Sequence, residues 1–157
     1  MGGNAITKQE EDEVCIAKLD SSGDQLCCKT AGGDFVDSTI RLTPGSTRNP
    51  YAMGIPTSCN TTSTTDFEGN AITTQDDDEV FIAKFDSSGN QLFFKTAGSD
   101  CFASPTQITT DAAGNLYVLG SNFSSNNTST TDFEGNAITT EDDPEVLHSH
   151  IDSTGAH

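Results

Sequence analysis

The residues best suited to chemistry in this 157-residue chain are oxygen donors. Glu10-Glu11-Asp12-Glu13 is followed by Asp76-Asp77-Asp78-Glu79 and then by Glu141-Asp142-Asp143-Pro144-Glu145. Hard carboxylate and carbonyl oxygens clustered on loops suit Ca²⁺, which takes six to eight of them. Asp76, Asp77 and Asp78, with Asp86, Asn90, Asp111 and Asn115, are the Ca²⁺ candidates. Asp86-Ser87-Ser88-Gly89-Asn90 lacks the 12-residue span and terminal Glu of an EF-hand loop. The same residues equally suit turn capping, and the acidic runs suit solvated loop entries.

His148 and His150 stand at i and i+2, so on a strand they share one face, with His157 nearby. One period earlier those two slots hold Ile82 and Lys84, so the repeat does not preserve a metal pair. No Gly-x-Ser-x-Gly context positions a nucleophile, and no glycine-rich phosphate loop is present. Catalytic residues are therefore assigned to none, and the chain is expected not to be an enzyme. Asn60-Thr61-Thr62, Asn122-Phe123-Ser124, Asn126-Asn127-Thr128 and Asn127-Thr128-Ser129 are glycosylation sequons, a tripeptide that arises freely in such polar loops.

Seven Lys+Arg against 24 Asp+Glu give a net charge of −17. That balance excludes nucleic acid, which needs clustered Lys and Arg, and disfavours an anionic membrane surface. No apolar run approaches the roughly 18 residues of a membrane span. Met1-Gly2-Gly3-Asn4 shows neither a basic region nor an apolar stretch, so no signal peptide is visible. A myristoylation motif wants Ser or Thr where Ile6 stands. Leu, Ile, Val and Phe fall just under the roughly 20% below which a charged chain defaults to disorder. Their gathering into short alternating runs argues for a folded chain with long mobile loops and marginal stability.

What must position these residues is a repeat. Gly3-Asn4-Ala5-Ile6-Thr7 returns at Gly69 and again at Gly135, an offset of 66 residues each time. A fixed period marks supersecondary units that bury their apolar faces against one another. Met1 occupies the slot of Phe67 and Phe133, which predicts a frame opening inside a repeat. In the second copy Glu79–Asp86 and Gln91–Ala97 are β-branched and aromatic runs joined by Asp86-Ser87-Ser88-Gly89-Asn90, which is hairpin chemistry. Thr106–Asp111 and Asn115–Gly120 form a second hairpin around Asp111-Ala112-Ala113-Gly114-Asn115. Thr39–Thr43 and Tyr51–Gly54 answer it one period earlier, with Pro50 removing a ladder donor and a less regular turn between them. The stretch from Ser121 to Asp143 reads as a long loop, either functional or mobile.

Cys15 aligns with Phe81, Cys27 and Cys28 with Phe93 and Phe94, and Cys101 with Phe35. Thiols in large apolar slots are expected to be buried hydrophobes rather than a disulfide framework. Only Cys59 lies in a polar loop.

Asn115-Leu-Tyr-Val-Leu-Gly120, Thr131-Asp132-Phe133-Glu134-Gly135 and Asp78-Glu-Val-Phe-Ile-Ala-Lys-Phe-Asp86-Ser87-Ser88-Gly89-Asn90 resemble the SBBP-type β-propeller repeat. The chain departs from that pattern in having no Trp, with Phe93-Phe94 or Cys27-Cys28 standing in. The resemblance implies an all-β, propeller-like fold of antiparallel four-stranded blades, an open fragment rather than a closed ring. Residues 1–32 would be the outer half of a first blade, 33–97 a complete blade and 98–157 a truncated third. It further implies a non-enzymatic scaffold or binding module, secreted or at the cell surface, with a protein or glycan partner. Exposed strand edges would invite self-association or neighbouring blades. The alternatives are a fragment of a propeller lyase or glycan hydrolase, a Ca²⁺-stabilised module, or a truncated product with no independent role.

Overall fold

The computed structural model describes residues 12–33, 38–45, 49–55, 64–72, 78–99, 103–122, 130–133, 136–138 and 145–156. Among these the chain is all-β, and every strand pairing is antiparallel. From the first repeat come β1 (Asp12–Leu19) and β2 (Gln25–Gly33), then β3 (Ser38–Thr43), β4 (Tyr51–Ile55), β5 (Thr64–Thr65) and β6 (Ala71–Ile72). The second supplies β7 (Asp78–Phe85), β8 (Gln91–Ser99), β9 (Ala103–Thr110), β10 (Leu116–Asn122), β11 (Thr130–Thr131) and β12 (Ala137–Ile138). β13 (Glu145–Ile151) follows. They form three open sheets, ordered β1-β2-β5-β6, β12-β11-β8-β7-β4-β3 and β13-β10-β9.

The hairpins share one turn. In Asp86–Asn90 the Asp86 amide donates to the Asn90 carbonyl at 2.9 Å, and the Gly89 amide to the Asp86 carbonyl at 3.1 Å. The Asp86 carboxylate accepts the Ser88 and Asn90 amides at 2.8 and 2.9 Å, holding the turn from inside. Gly89 sits at φ 89°, a conformation glycine alone adopts without strain. Asp20, Asp111 and Asp152 make the same pair of backbone bonds. The β3–β4 hairpin lacks the motif; its register shifts between Thr39 and Arg41, and the other three long hairpins carry one such shift each, so regularity does not set it apart.

The stretches between β4 and β7 and between β10 and β13 are not featureless loops. Each contains a two-residue-strand hairpin, turned by Asp66–Asn70 or Asp132–Asn136 with the same Asp-to-Asn backbone bond. Each hairpin adds itself to the sheet before its own. β5 pairs with β2, and β11 pairs with β8. The turn's second residue is the anchor: Phe67 and Phe133, 66 residues apart, are both buried.

The second sheet is covered on both faces. Phe81, Ala83 and Phe85 of β7 and Ala52 of β4 pack with Val14, Ala31 and Phe67 of the first sheet's layer. Phe67 meets Phe85 edge to face at 5.0 Å between centroids. On the opposite face Tyr51, Met53, Val80 and Ile82 pack against Ile108, Leu116, Val118 and Ile151 of the third sheet. Alternation along β7 therefore feeds two cores rather than one core and solvent, which is why this strand is apolar nearly throughout.

Equivalent residues meet their partners head to tail. Val14 packs towards the second sheet as Val80 packs towards the third. The opposite face of the first sheet is uncovered among the described residues: Leu19 is 57% exposed, whereas Phe85, 66 residues on, is 2% exposed. This corrects the expectation of buried thiols. Cys15 is exposed, and Cys27 and Cys28 are half-buried. For Cys15 and Cys28 the apolar slot exists, but no sheet among the described residues covers it, whereas Cys27 faces the second sheet beside Gly89. Cys59 and Cys101 lie outside the described residues.

Candidate functional site

Lysines cross both sheet interfaces at equivalent points. Lys18 Nζ donates to the Ser87 carbonyl, and Lys84 Nζ, 66 residues later, donates to the Ser153 carbonyl. In each pair a strand of one sheet holds the Asp-x-x-Gly turn of the next. Lys84 is 7% exposed and lies over the Tyr51 ring, 5.0 Å from its centroid. Tyr51 in turn donates its hydroxyl to the Gly114 carbonyl at 2.8 Å.

A cavity accompanies each crossing. Between the first and second sheets it measures about 400 Å³ and is walled by Ile16, Leu42, Pro44, Pro50 and Phe85, with Cys27 on its lining. Between the second and third it measures about 220 Å³, beside Tyr51, Lys84 and Ser153. The larger one opens where Cys27 replaces the Phe93 of the next repeat, since Phe93 packs against the third-sheet core. Its size and apolar walls match a small-molecule pocket. Its flanking cations are already engaged, Lys18 by Ser87 and Lys29 by Glu68 at 3.0 Å.

A polar latch closes the same interface at its outer edge. Gln91, the first residue of β8, donates its side-chain amide to Asp66 at 2.7 Å and accepts the Phe67 amide at 3.1 Å. Its own backbone amide donates to Glu68 at 3.1 Å. Burial pushes the Asp66 carboxyl up, but the Asn70 and Gln91 side chains and the Asn70 and Glu68 amides outweigh it and leave it below the usual range. Glu68 is lowered by the Gln91 amide and by Lys29. Sequence reasoning missed this latch. The available signal was Asp66-Phe67-Glu68-Gly69-Asn70, which carries the turn pattern already recognised in the long hairpins.

Among the described residues the Ca²⁺ candidates serve separate turns. Asp86 and Asn90 belong to the β7–β8 turn, with Asn90 Nδ2 donating to Asp86 at 2.9 Å. Asp111 and Asn115 belong to the β9–β10 turn, with the same contact at 2.8 Å. The Asn90 side chain and amide hold Asp86 below its ordinary range, and the Asn115 amide and side chain do so for Asp111. Asp78 begins β7 opposite Ser99, and Asp76 and Asp77 lie outside the described residues. Among the described residues no three His, Cys, Asp or Glu side chains converge as metal ligands would.

His148 and His150 pair opposite Leu119 and Tyr117 on β13, and the His150 ring stacks obliquely on Tyr117 at 5.0 Å. His157 and the sequons at Asn60, Asn126 and Asn127 lie outside the described residues; Asn122 ends β10. The geometry offers apolar enclosure and a latched sheet edge. No helix among the described residues is long and apolar enough to cross a membrane. No protein-family model matches the chain, and comparison with curated proteins gives no match.

Proposed function

We propose that this chain is a non-enzymatic repeat scaffold of the β-propeller type, a binding module for a protein or glycan partner at the cell surface or outside it. The observation that carries it is the head-to-tail stacking of 66-residue units through equivalent residues: Lys18 and Lys84 at the crossings, Phe67 and Phe133 as anchors. Stacking of this kind extends without changing the interface. The uncovered Leu19 face of the first sheet supports a further sheet, or a second copy of the chain, as a neighbour.

The test is saturable binding of the purified chain to an array of glycans and immobilised extracellular proteins, followed by calorimetry on any hit. Binding in the micromolar range or tighter that survives without turnover of the ligand supports the scaffold. Lyase or hydrolase activity on a polysaccharide panel, lost when pocket residues are changed, overturns it in favour of an enzyme fragment.

A further inference from the structure

We propose that Cys15 and Cys28 are a reversible redox pair, closing a cross-strand disulfide in the first sheet by exchange with a low-molecular-weight disulfide. Their sulfurs stand 2.9 Å apart. Register places Cys15 opposite Thr30 and Cys28 opposite Ala17, so the two are diagonal neighbours on one face of the β1–β2 hairpin. A disulfide needs about 2.05 Å between the sulfurs, so closure asks for a movement of about 0.9 Å, within the reach of a side-chain rotation.

The repeat supplies an independent observation that this diagonal is a contact. One period later the same two positions hold Phe81 and Phe94, whose rings stack at 5.2 Å with an interplanar angle of 16°. The twist of the hairpin therefore presses these two side chains together in both copies, whatever their chemistry. In the first copy the pressed pair is two thiols. Access differs as well. Phe81 is 3% exposed beneath the first sheet, whereas Cys15 is exposed. Reactive thiols need that access. Cys27 is excluded as the partner because it pairs opposite Lys18 on the other face, against the turn glycine Gly89.

The exchange balances without a further reactant. The Cys15 thiolate attacks one sulfur of the small disulfide, forming a mixed disulfide and releasing one small thiolate. The Cys28 thiolate then attacks the Cys15 sulfur, forming the Cys15–Cys28 bond and releasing the second small thiolate. The two protons of the protein thiols end on the two small thiols. The protein pair is oxidised and the small disulfide is reduced. The new bond ties β1 to β2 across the hairpin that supports the β5–β6 latch, and it pins their register.

The experiment incubates the full chain with glutathione disulfide, blocks remaining thiols by alkylation, and maps the products by mass spectrometry. A Cys27→Ser variant is run alongside, because tryptic cleavage leaves Cys27 and Cys28 in one peptide. The expected result is an intramolecular link between the Cys15 and Cys28 peptides in both proteins. It disappears in Cys15→Ser and in Cys28→Ser, and dithiothreitol reverses it. A variant retaining only Cys15 and Cys28, checked for native circular dichroism, is expected to unfold at higher denaturant when oxidised than when reduced. A link through Cys27, a link only between molecules, or stable glutathione adducts that never close would overturn the proposal.

Discussion

Lys84 Nζ donates to the Ser153 carbonyl across the interface of the second and third sheets, with its charge over the Tyr51 and Phe93 rings at 5.0 and 5.9 Å. The bond joins a strand of one unit to the turn of the next, so its removal weakens stacking rather than either sheet. A charged hydrogen bond with ring contacts is worth about 1–2 kcal/mol here after the cost of burying the ammonium. Lys84→Met, which keeps the apolar stem, is expected to lower the unfolding free energy by that amount in urea titration. Lys18→Met removes the same bond at an exposed site and is expected to cost about 0.5 kcal/mol.

Phe67 joins the latch to the core. It contacts Phe81, Phe85 and Phe94, while its neighbour Asp66 accepts from Gln91. Phe67→Ala empties a buried aromatic site and is expected to cost about 3–5 kcal/mol, enough to threaten the fold. Phe67→Leu retains most of the volume and is expected to cost about 1 kcal/mol. In the milder variant, hydrogen exchange should accelerate at the Asp66 and Asn70 amides before it does in β7. Equal acceleration in both would show that the hairpin has no stability separate from the core.

The long hairpins were legible because two signals agreed: alternation in Glu79–Asp86 and Gln91–Ala97, and an Asp-x-x-Gly-Asn turn between them. The strands lie at Asp78–Phe85 and Gln91–Ser99. Thr64–Thr65 and Ala71–Ile72 were not legible as strands, since two residues carry no periodicity and only their turn marks them. The exposure of Cys15 was hidden for a different reason. The repeat assigns a slot its character from the copies where a neighbour covers it, and nothing in Cys15 itself says whether one does. The cavity at Cys27 follows from a missing ring, a difference of volume that pattern reasoning does not measure.

Gly23 and Gly89 offer a controlled comparison, since both close the same turn at φ 88° and 89°. A Cβ on Gly23 would meet nothing, whereas one on Gly89 would overlap the Cys27 sulfur. Gly23→Ala is expected to cost about 1 kcal/mol from the left-handed backbone alone. Gly89→Ala should cost about 2–4 kcal/mol, because overpacking adds to the same strain. The doubly changed Gly89→Ala, Cys27→Ala protein should recover part of the difference, as measured by thermal melting of all three.

Ser149 takes the slot that Ala83 fills one period earlier, and its hydroxyl has no hydrogen-bond partner. An unmet hydroxyl facing packed strands opposes folding. Ser149→Ala is therefore expected to raise stability by about 1 kcal/mol. An unchanged or lower urea midpoint would show that the hydroxyl is satisfied in solution.

Acid should unfold the chain through its turns. Thr154 Oγ1 and the Ala156 and Thr154 amides bring Asp152 down to about 2, and Asp66, Asp86 and Asp111 are also lowered. A carboxylate whose folded pKa lies below its unfolded value, about 3.9, stabilises the fold fully above that value. The contribution is lost as pH falls through the folded pKa, so stability should hold from pH 7 to about 5 and decline from about 4 towards 2. The net charge of −17 works against this decline, because protonation also relieves repulsion among the 24 carboxylates. Raising salt at pH 7 screens that repulsion and should raise the melting temperature on its own. Measuring Asp152→Asn beside the parent at fixed high salt isolates the turn: the variant should be less stable at pH 7, and the two curves should converge near pH 2. Parallel curves over the whole range would mean that the Asp152 carboxylate keeps no preference for its charged form in the folded turn.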